Sequence, residues 1–209
     1  SETALRRAGR EVRVIHTHPF DHATYYPGAR QMTLKLMVDP ETDAILGAQG
    51  VGEEGVDKRI DVIATAMAGG LTATDLADLE LSYAPQFASA KDPVNMLGYV
   101  NENRADGEKS VQWHEVADRI AEGWVLVDVR TEDEHETRAI EDSILMNLES
   151  LRDRAHELTG KRVIVHCRVG QRGHTAAAIL HAHGIEVANL DGGCLTYHQG
   201  MAAMEAARA

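Results

Sequence analysis

Arg162-Val163-Ile164-Val165-His166-Cys167-Arg168-Val169-Gly170-Gln171-Arg172-Gly173 is the stretch whose reading decides the fold. Val163 to Val165 are β-branched and uncharged, as a short buried strand requires. The run ends at Cys167 and passes through a loop bounded by Cys167 and Arg172. It then opens an alanine-rich segment, Ala176 to His183, that predicts a helix. A thiol between a strand end and a helix N-terminus sits at the positive end of the helix dipole, where unpaired N–H groups can face its sulfur. Arg168 and Arg172 add charge beside it. All three effects favour the thiolate, which is the nucleophile. A cysteine inside a strand reads as a small buried hydrophobe. One at the strand's exit, followed by Arg-x-Gly-x-Arg, reads as reactive, on a loop expected to open outward.

The 209 residues suggest one or two domains, and 44% hydrophobic with 26% charged residues is ordinary for a globular chain. A net charge of −12 argues against a nucleic-acid groove or an anionic membrane surface as partner. No run approaches the ~18 apolar residues of a membrane span. Cys167 and Cys194 are the two cysteines, too few for a disulfide framework and consistent with a reducing cytoplasm. The sequence starts at Ser1, as a processed protein or a piece of a longer one would.

Working outward toward the N-terminus, residues 1–9 fit a short helix, and Val12 to His18 alternate as a half-buried strand. His16, His18 and His22 could share a face, but no further ligand completes a metal site and polar strand residues are the commoner reading. Tyr25-Tyr26-Pro27-Gly28 is a turn displaying two aromatics. Met32 to Val38 and a strand beginning at Ala44 to Gly47 complete an antiparallel meander. Gly50-Val51-Gly52-Glu53-Glu54-Gly55 is a literal G-x-G-x-x-G, yet Glu53 and Glu54 would repel a pyrophosphate, so no dinucleotide is expected there. Val56 to Ala68 predicts a helix striped by Val56, Ile60, Ile63 and Met67. Thr72 to Leu81 reads as a second helical piece, and Asp92-Pro93 suits N-cap and N1 of a last helix.

Three motifs in this half resemble the C-terminal dimerisation domain of flavin-dependent pyridine nucleotide-disulfide reductases. They are His22-Ala23-Thr24-Tyr25-Tyr26-Pro27-Gly28-Ala29, Gly55-Val56-Asp57-Lys58-Arg59-Ile60-Asp61-Val62-Ile63 and Tyr83-Ala84-Pro85…Ala90-Lys91-Asp92-Pro93-Val94-Asn95. The similarity is strongest to the coenzyme A disulfide reductase, NADH oxidase and persulfide reductase branch. It implies an α+β antiparallel-sheet domain, a homodimer formed through it, and tyrosines that reach the partner subunit's redox site. That role carries to Tyr25 and Tyr83, with Tyr26 the alternative to Tyr25. Phe87 stands where relatives often place another tyrosine. The resemblance also implies FAD, NAD(P)H and coenzyme A for a full-length parent. No cofactor is expected to bind this chain itself.

Asn101 to Ser110 is polar and breaks the pattern, so the expected domains are 1–105 and 106–209. Beyond it, Trp113 to Ile120 predicts an amphipathic helix stopped by Gly123, Trp124 to Val129 a buried strand, and Ile144 to Leu148 another. Leu148, Leu151, Ala155 and Leu158 stripe a helix ended by Gly160. The Cys167 strand, its helix and a strand at Val187 to Leu190 follow. Strands alternating with helices argue an α/β parallel sheet covered on both faces.

This half resembles the rhodanese sulfurtransferases, through Val127-Asp128-Val129-Arg130, the Cys167-x-x-Gly170-x-Arg172 loop and Asn189-Leu190-Asp191-Gly192-Gly193. Arg138 to Ser143 depart from the Gly-His-Ile-Pro-Gly-Ala-like segment of many relatives. The competing His-Cys-x5-Arg loop of cysteine phosphatases would need arginine at 173, where Gly173 stands. The resemblance implies a sulfane sulfur carried on Cys167, with Arg168, Val169, Gly170, Gln171 and Arg172 forming the substrate loop. Its donors would be small anions such as thiosulfate or a persulfide. Asp128 and Arg130 are expected to be structural partners, as is Cys194, although a resolving role beside Cys167 stays open. The rival reading is a non-enzymatic dimeric scaffold that uses the rhodanese fold only to bind partners.

Overall fold

The structure, a computed structural model, describes residues 1–208. It divides into two compact units after Asp106. In the first, α1 (Glu2–Arg7) leads into β1 (Arg13–Thr17), β2 (Thr33–Val38) and β3 (Ile45–Val51), an antiparallel sheet in that order. β2 is central, and its alternate residues Leu34, Leu36 and Val38 are fully buried, as a strand with one face on a core demands. α2 (Val56–Ala68), a 3-10 turn (Thr74–Asp78) and α3 (Pro93–Ala105) cover that face.

Two details differ from the sequence expectation. The stripe α2 buries is Arg59, Ile63 and Ala66, while Met67 is exposed. Arg59 turns inward because every side of its guanidinium is met: Asp92 accepts at 3.0 Å, the Asp21 carbonyl at 2.6 Å and the Gly55 carbonyl at 3.2 Å. A buried charge so paired is tolerated where a lone one is not. Asp92 also caps α3 in a reciprocal box with Asn95, with Pro93 at N1. The second difference is that α3 continues to Ala105 through part of the polar stretch read as a break. Asn101 is buried there, donating to Asp43 at 2.8 Å and accepting from Arg13 at 2.9 Å.

The second unit runs β4 (Ser110–Val111), α4 (Val116–Ala121), β5 (Trp124–Asp128), α5 (Glu132–Thr137), β6 (Ile144–Leu145), α6 (Leu148–Arg154), β7 (Arg162–His166), α7 (Gln171–Ala182), β8 (Glu186–Leu190) and α8 (Gly193–Ala206). The sheet is parallel, ordered β4-β8-β7-β5-β6. Val163, Val165 and Cys167 pack with α6 and α7 on one face, and Ile164 packs with α4 and α8 on the other. A strand buried on both faces reads as an unbroken apolar run, which Val163 to Val165 is.

Here too the structure corrects the sequence reading. α7 starts at Gln171, five residues before the alanine run, because Gly170 takes the left-handed conformation (φ 91°) as its N-cap. Gln171 and Arg172 therefore belong to the first helical turn, not to the loop. The expected strand at Ile144 to Leu148 shrinks to two residues, since Leu148 already begins α6. β4 and α8 carry no strong periodic signal and were not expected.

Candidate active site

Cys167 sits immediately beyond β7, at the carboxyl end of the central strand, and is 1% exposed. The loop to α7 is only Arg168, Val169 and Gly170. Arg168 and Gln171 are exposed, while Val169, Gly170 and Arg172 are half-buried. The first N–H groups of α7 have no acceptor within the helix, so the strand exit faces a cluster of donors. Gly173 follows for a steric reason: a Cβ there would lie 2.2 Å from Asn189 Oδ1. The expectation of an outward-opening loop is not met at Cys167 itself, which the loop closes over.

Arg172 is placed by a residue the sequence reading did not single out. Glu134 accepts from its Nη1 at 2.7 Å and its Nη2 at 2.6 Å. Glu134 also closes the N-terminal box of α5, accepting from Thr131 Oγ1 at 3.2 Å. The Thr131-x-x-Glu134 spacing is legible as a cap, but nothing in it points 38 residues onward to Arg172. The ion pair holds Glu134 down to about 2. Arg172 is raised in turn, first by Glu134 and further by the Cys167 sulfur beside it. Its charge is thus paired first with a carboxylate, on a side chain that stays partly exposed.

On the sheet end next to the cysteine lies a buried polar cluster. Arg130 donates to both oxygens of Asp128, from Nε at 2.9 Å and Nη2 at 2.6 Å, and His135 Nδ1 lies 2.9 Å from Asp128. Burial would raise Asp128, but these donors overcome it and bring the carboxyl down to about 2. Both ring nitrogens of His166 are buried without a hydrogen-bond partner, Nδ1 standing 3.9 Å from Asp128. Desolvation pushes this histidine down to about 4, so it is neutral at pH 7. Cys194 lies at the start of α8, its thiol raised chiefly by burial.

In the first unit, Tyr25 and Tyr83 meet hydroxyl to hydroxyl at 2.7 Å. Tyr25, Tyr26, Tyr83 and Phe87 are all exposed large side chains. The hydrogen bond to Tyr83 raises the Tyr25 phenol above its usual value. The histidines read as a conceivable metal set have other partners: His18 meets Thr33 at 2.9 Å and His22 meets Asp21 at 2.8 Å. Among the described residues no group of three metal-ligating side chains gathers, and no helix is long and apolar enough to cross a membrane.

Comparison with known proteins places both units. Residues 1–93 match the pyridine nucleotide-disulphide oxidoreductase dimerisation domain, and residues 112–199 match the rhodanese-like domain. The chain joins these two domains. The pair also occurs together in solved structures. Reduced Bacillus anthracis CoADR-RHD is 45% identical with a TM-score of 0.92, over 94% of this chain and 36% of that one. A NAD-dependent persulfide reductase from A. fulgidus is 35% identical with a TM-score of 0.83, over the same shares. Coenzyme A disulfide reductase of Staphylococcus aureus (strain bovine RF122 / ET3-1) is 47% identical over 78 residues, 37% of this chain and 18% of its own length. The chain thus spans about a third of the two solved structures and under a fifth of the curated relative. The rhodanese-like domain is the part that holds Cys167, and the dimerisation domain the part that presents Tyr25 and Tyr83.

Proposed function

We propose that the rhodanese-like domain is a sulfurtransferase that carries sulfane sulfur as a persulfide on Cys167. The observation that carries this reading is the placement of Cys167 between the end of β7 and the N-terminus of α7, whose first turn carries Arg172. The Cys167 thiolate attacks the outer sulfur of thiosulfate, forming one S–S bond as the donor S–S bond breaks and sulfite leaves. A persulfide donor reacts in the same way and leaves as its thiolate. An acceptor thiolate or cyanide then takes the outer sulfur and returns Cys167 to the thiolate. Loop and first-turn N–H groups offset the negative charge on the carried sulfur, as donors fixed in advance do for an oxyanion.

The chain acts, on this proposal, as the C-terminal part of a flavin-dependent coenzyme A disulfide or persulfide reductase that is a homodimer through the first domain. FAD and NAD(P)H would be held by other parts of that parent, and Tyr25 and Tyr83 would face the partner subunit's redox site. The likeness to the two solved reductases and the exposed aromatic surface support this. The near-complete burial of Cys167 favours the second reading, a scaffold whose rhodanese fold only binds partners. Thiosulfate-to-cyanide transfer by the chain decides between them. Turnover that requires Cys167 supports the enzyme, and none from either donor supports the scaffold.

A further inference from the structure

In a planar trans peptide the C=O and the following N–H point in opposite directions, so whatever holds a loop's carbonyls also aims its amides. Three carbonyls of the Cys167 loop are held from outside it. The Cys167 oxygen accepts from the Cys194 N–H at 2.8 Å, and the Arg168 oxygen from the Leu195 N–H at 3.0 Å, both in the first turn of α8. The Gly170 oxygen accepts from the His174 N–H at 2.9 Å and from Asn189 Nδ2 at 3.1 Å. The N–H groups of Arg168 and Val169 are therefore turned away from α8. α8 packs on one face of the sheet, and the Cys167 side chain on the other. The Gln171 N–H, opposite the Gly170 carbonyl, faces out of the α7 N-terminus. The three amides are thus turned to the side where the sulfur sits.

Three of the holders are backbone N–H groups; the fourth is the side chain of a residue 5% exposed. Asn189 spends both amide protons, one on Gly170 and one on Glu108 Oε1 at 3.2 Å, and Glu108 also meets His174 Nδ1 at 2.5 Å. Its Oδ1 is buried without a hydrogen-bond partner, a cost of this orientation. That oxygen fills the space beside Gly173 where a Cβ would otherwise go. We propose that Asn189 is a positioning residue for sulfur transfer: by helping to hold the Gly170 carbonyl it aims the Gln171 N–H at the sulfur on Cys167. The inference rests on the sulfurtransferase reading and adds to it a residue that touches neither donor nor sulfur.

The test is single-turnover loading of Cys167 by thiosulfate in the full chain, followed by intact mass, in wild type, Asn189→Ala and Asn189→Asp. Both variants are expected to load fully but with a limiting rate about tenfold lower, the worth of roughly one hydrogen bond, and with little change in half-saturating thiosulfate. A merely structural role would lower the loaded fraction and leave the rate of the folded part alone. The carboxyl group of Asn189→Asp regains a donor when protonated, and burial beside Glu108 raises its pKa. The rate of Asn189→Asp relative to wild type should therefore climb as pH falls from about 8 to about 5.5. Wild-type rates in both variants overturn the proposal. Should wild type itself take no sulfur, the sulfurtransferase reading fails separately. The positioning role is then decided by the backbone amide resonances of Arg168 to Gln171 in Asn189→Ala. Displaced resonances uphold it, and unchanged ones overturn it.

Discussion

The Arg172 guanidinium and the Glu134 carboxylate face each other through two parallel hydrogen bonds, 2.7 and 2.6 Å long. The geometry is bidentate, but each side chain is about a third exposed, so solvent screens the pair. Glu134→Gln is expected to cost roughly 0.5–1 kcal/mol of stability. The sign of its pH dependence follows from the lowered pKa, about 2 against 4.5. The contribution is present above pH 4.5 and fades as pH falls toward 2. Urea midpoints of wild type and variant should converge over that window. A gap that stays constant would mean the carboxylate's charge is not its source. Sulfur transfer should fall as well, because an unheld Arg172 no longer stays beside Cys167.

His166 makes a demand of the same sign at higher pH. Its folded pKa is about 4 against 6.5, so between those values the unfolded chain binds a proton that the folded one refuses. Stability attributable to this residue is fully present above pH 6.5 and declines as pH drops toward 4. The slope is at most one proton, about 1.4 kcal/mol per pH unit. His166→Leu keeps an apolar side chain at the site and should flatten that part of the curve. Thermal melts from pH 7 to pH 4.5, about the span over which one histidine would act, check it. An undiminished slope in the variant would assign the acid sensitivity elsewhere.

Tyr25 and Tyr83 share a hydrogen bond that stabilises the neutral phenol of Tyr25. Tyr83→Phe removes it. The expected outcome is that Tyr25 ionises at lower pH in the variant than in wild type, seen in the 295 nm absorbance typical of phenolate at about pH 10. Identical titrations would show that the two hydroxyls do not meet in solution.

Four exposed aromatic side chains on one small domain are a poor fit to a monomer's surface. We expect the chain to form a two-fold dimer, the commonest arrangement, at roughly tens of micromolar. Tyr25→Ala with Phe87→Ala should weaken it. Sedimentation of the wild type as a monomer at that concentration sinks the idea.

What the sequence disclosed was what repeats or caps. The β-branched Val163 to Val165, the alternation of Met32 to Val38 and the Asp92-Pro93 helix start are local signals, and local physics writes them. The partners that shape the site are of another kind. Glu134 meets Arg172 and Asn189 meets Gly170 only because β5, β7 and β8 are neighbours in a parallel sheet, and sheet order leaves no period in the chain. Arg59 hid for the same reason: a charged residue on an apolar stripe reads as solvent-facing until Asp92, 33 residues away, is folded against it. The exposure of Cys167 was misjudged because a short loop with a left-handed Gly170 closes over the sulfur rather than opening it.

Cys167 is expected to account for all sulfur transfer by the chain. Both cysteines are buried, and their segments touch through the 2.8 Å bond from the Cys194 N–H to the Cys167 carbonyl, so proximity alone does not choose between them. Surroundings do. Cys194 is held protonated by burial, with Asp128 and Cys167 adding to that effect, whereas Cys167 has the Arg172 guanidinium and the N-terminus of α7. Cys167→Ser should abolish thiosulfate-to-cyanide transfer, because a hydroxyl is a far weaker nucleophile at neutral pH. In wild type treated with thiosulfate, peptide mass spectrometry should find an adduct of about 32 Da, one sulfur atom, on a single cysteine. That adduct should sit on the peptide bearing Cys167. Turnover retained by Cys167→Ser, or the adduct found on the Cys194 peptide, would move the chemistry to the other thiol and leave the loop's arginine and amides without the role given to them.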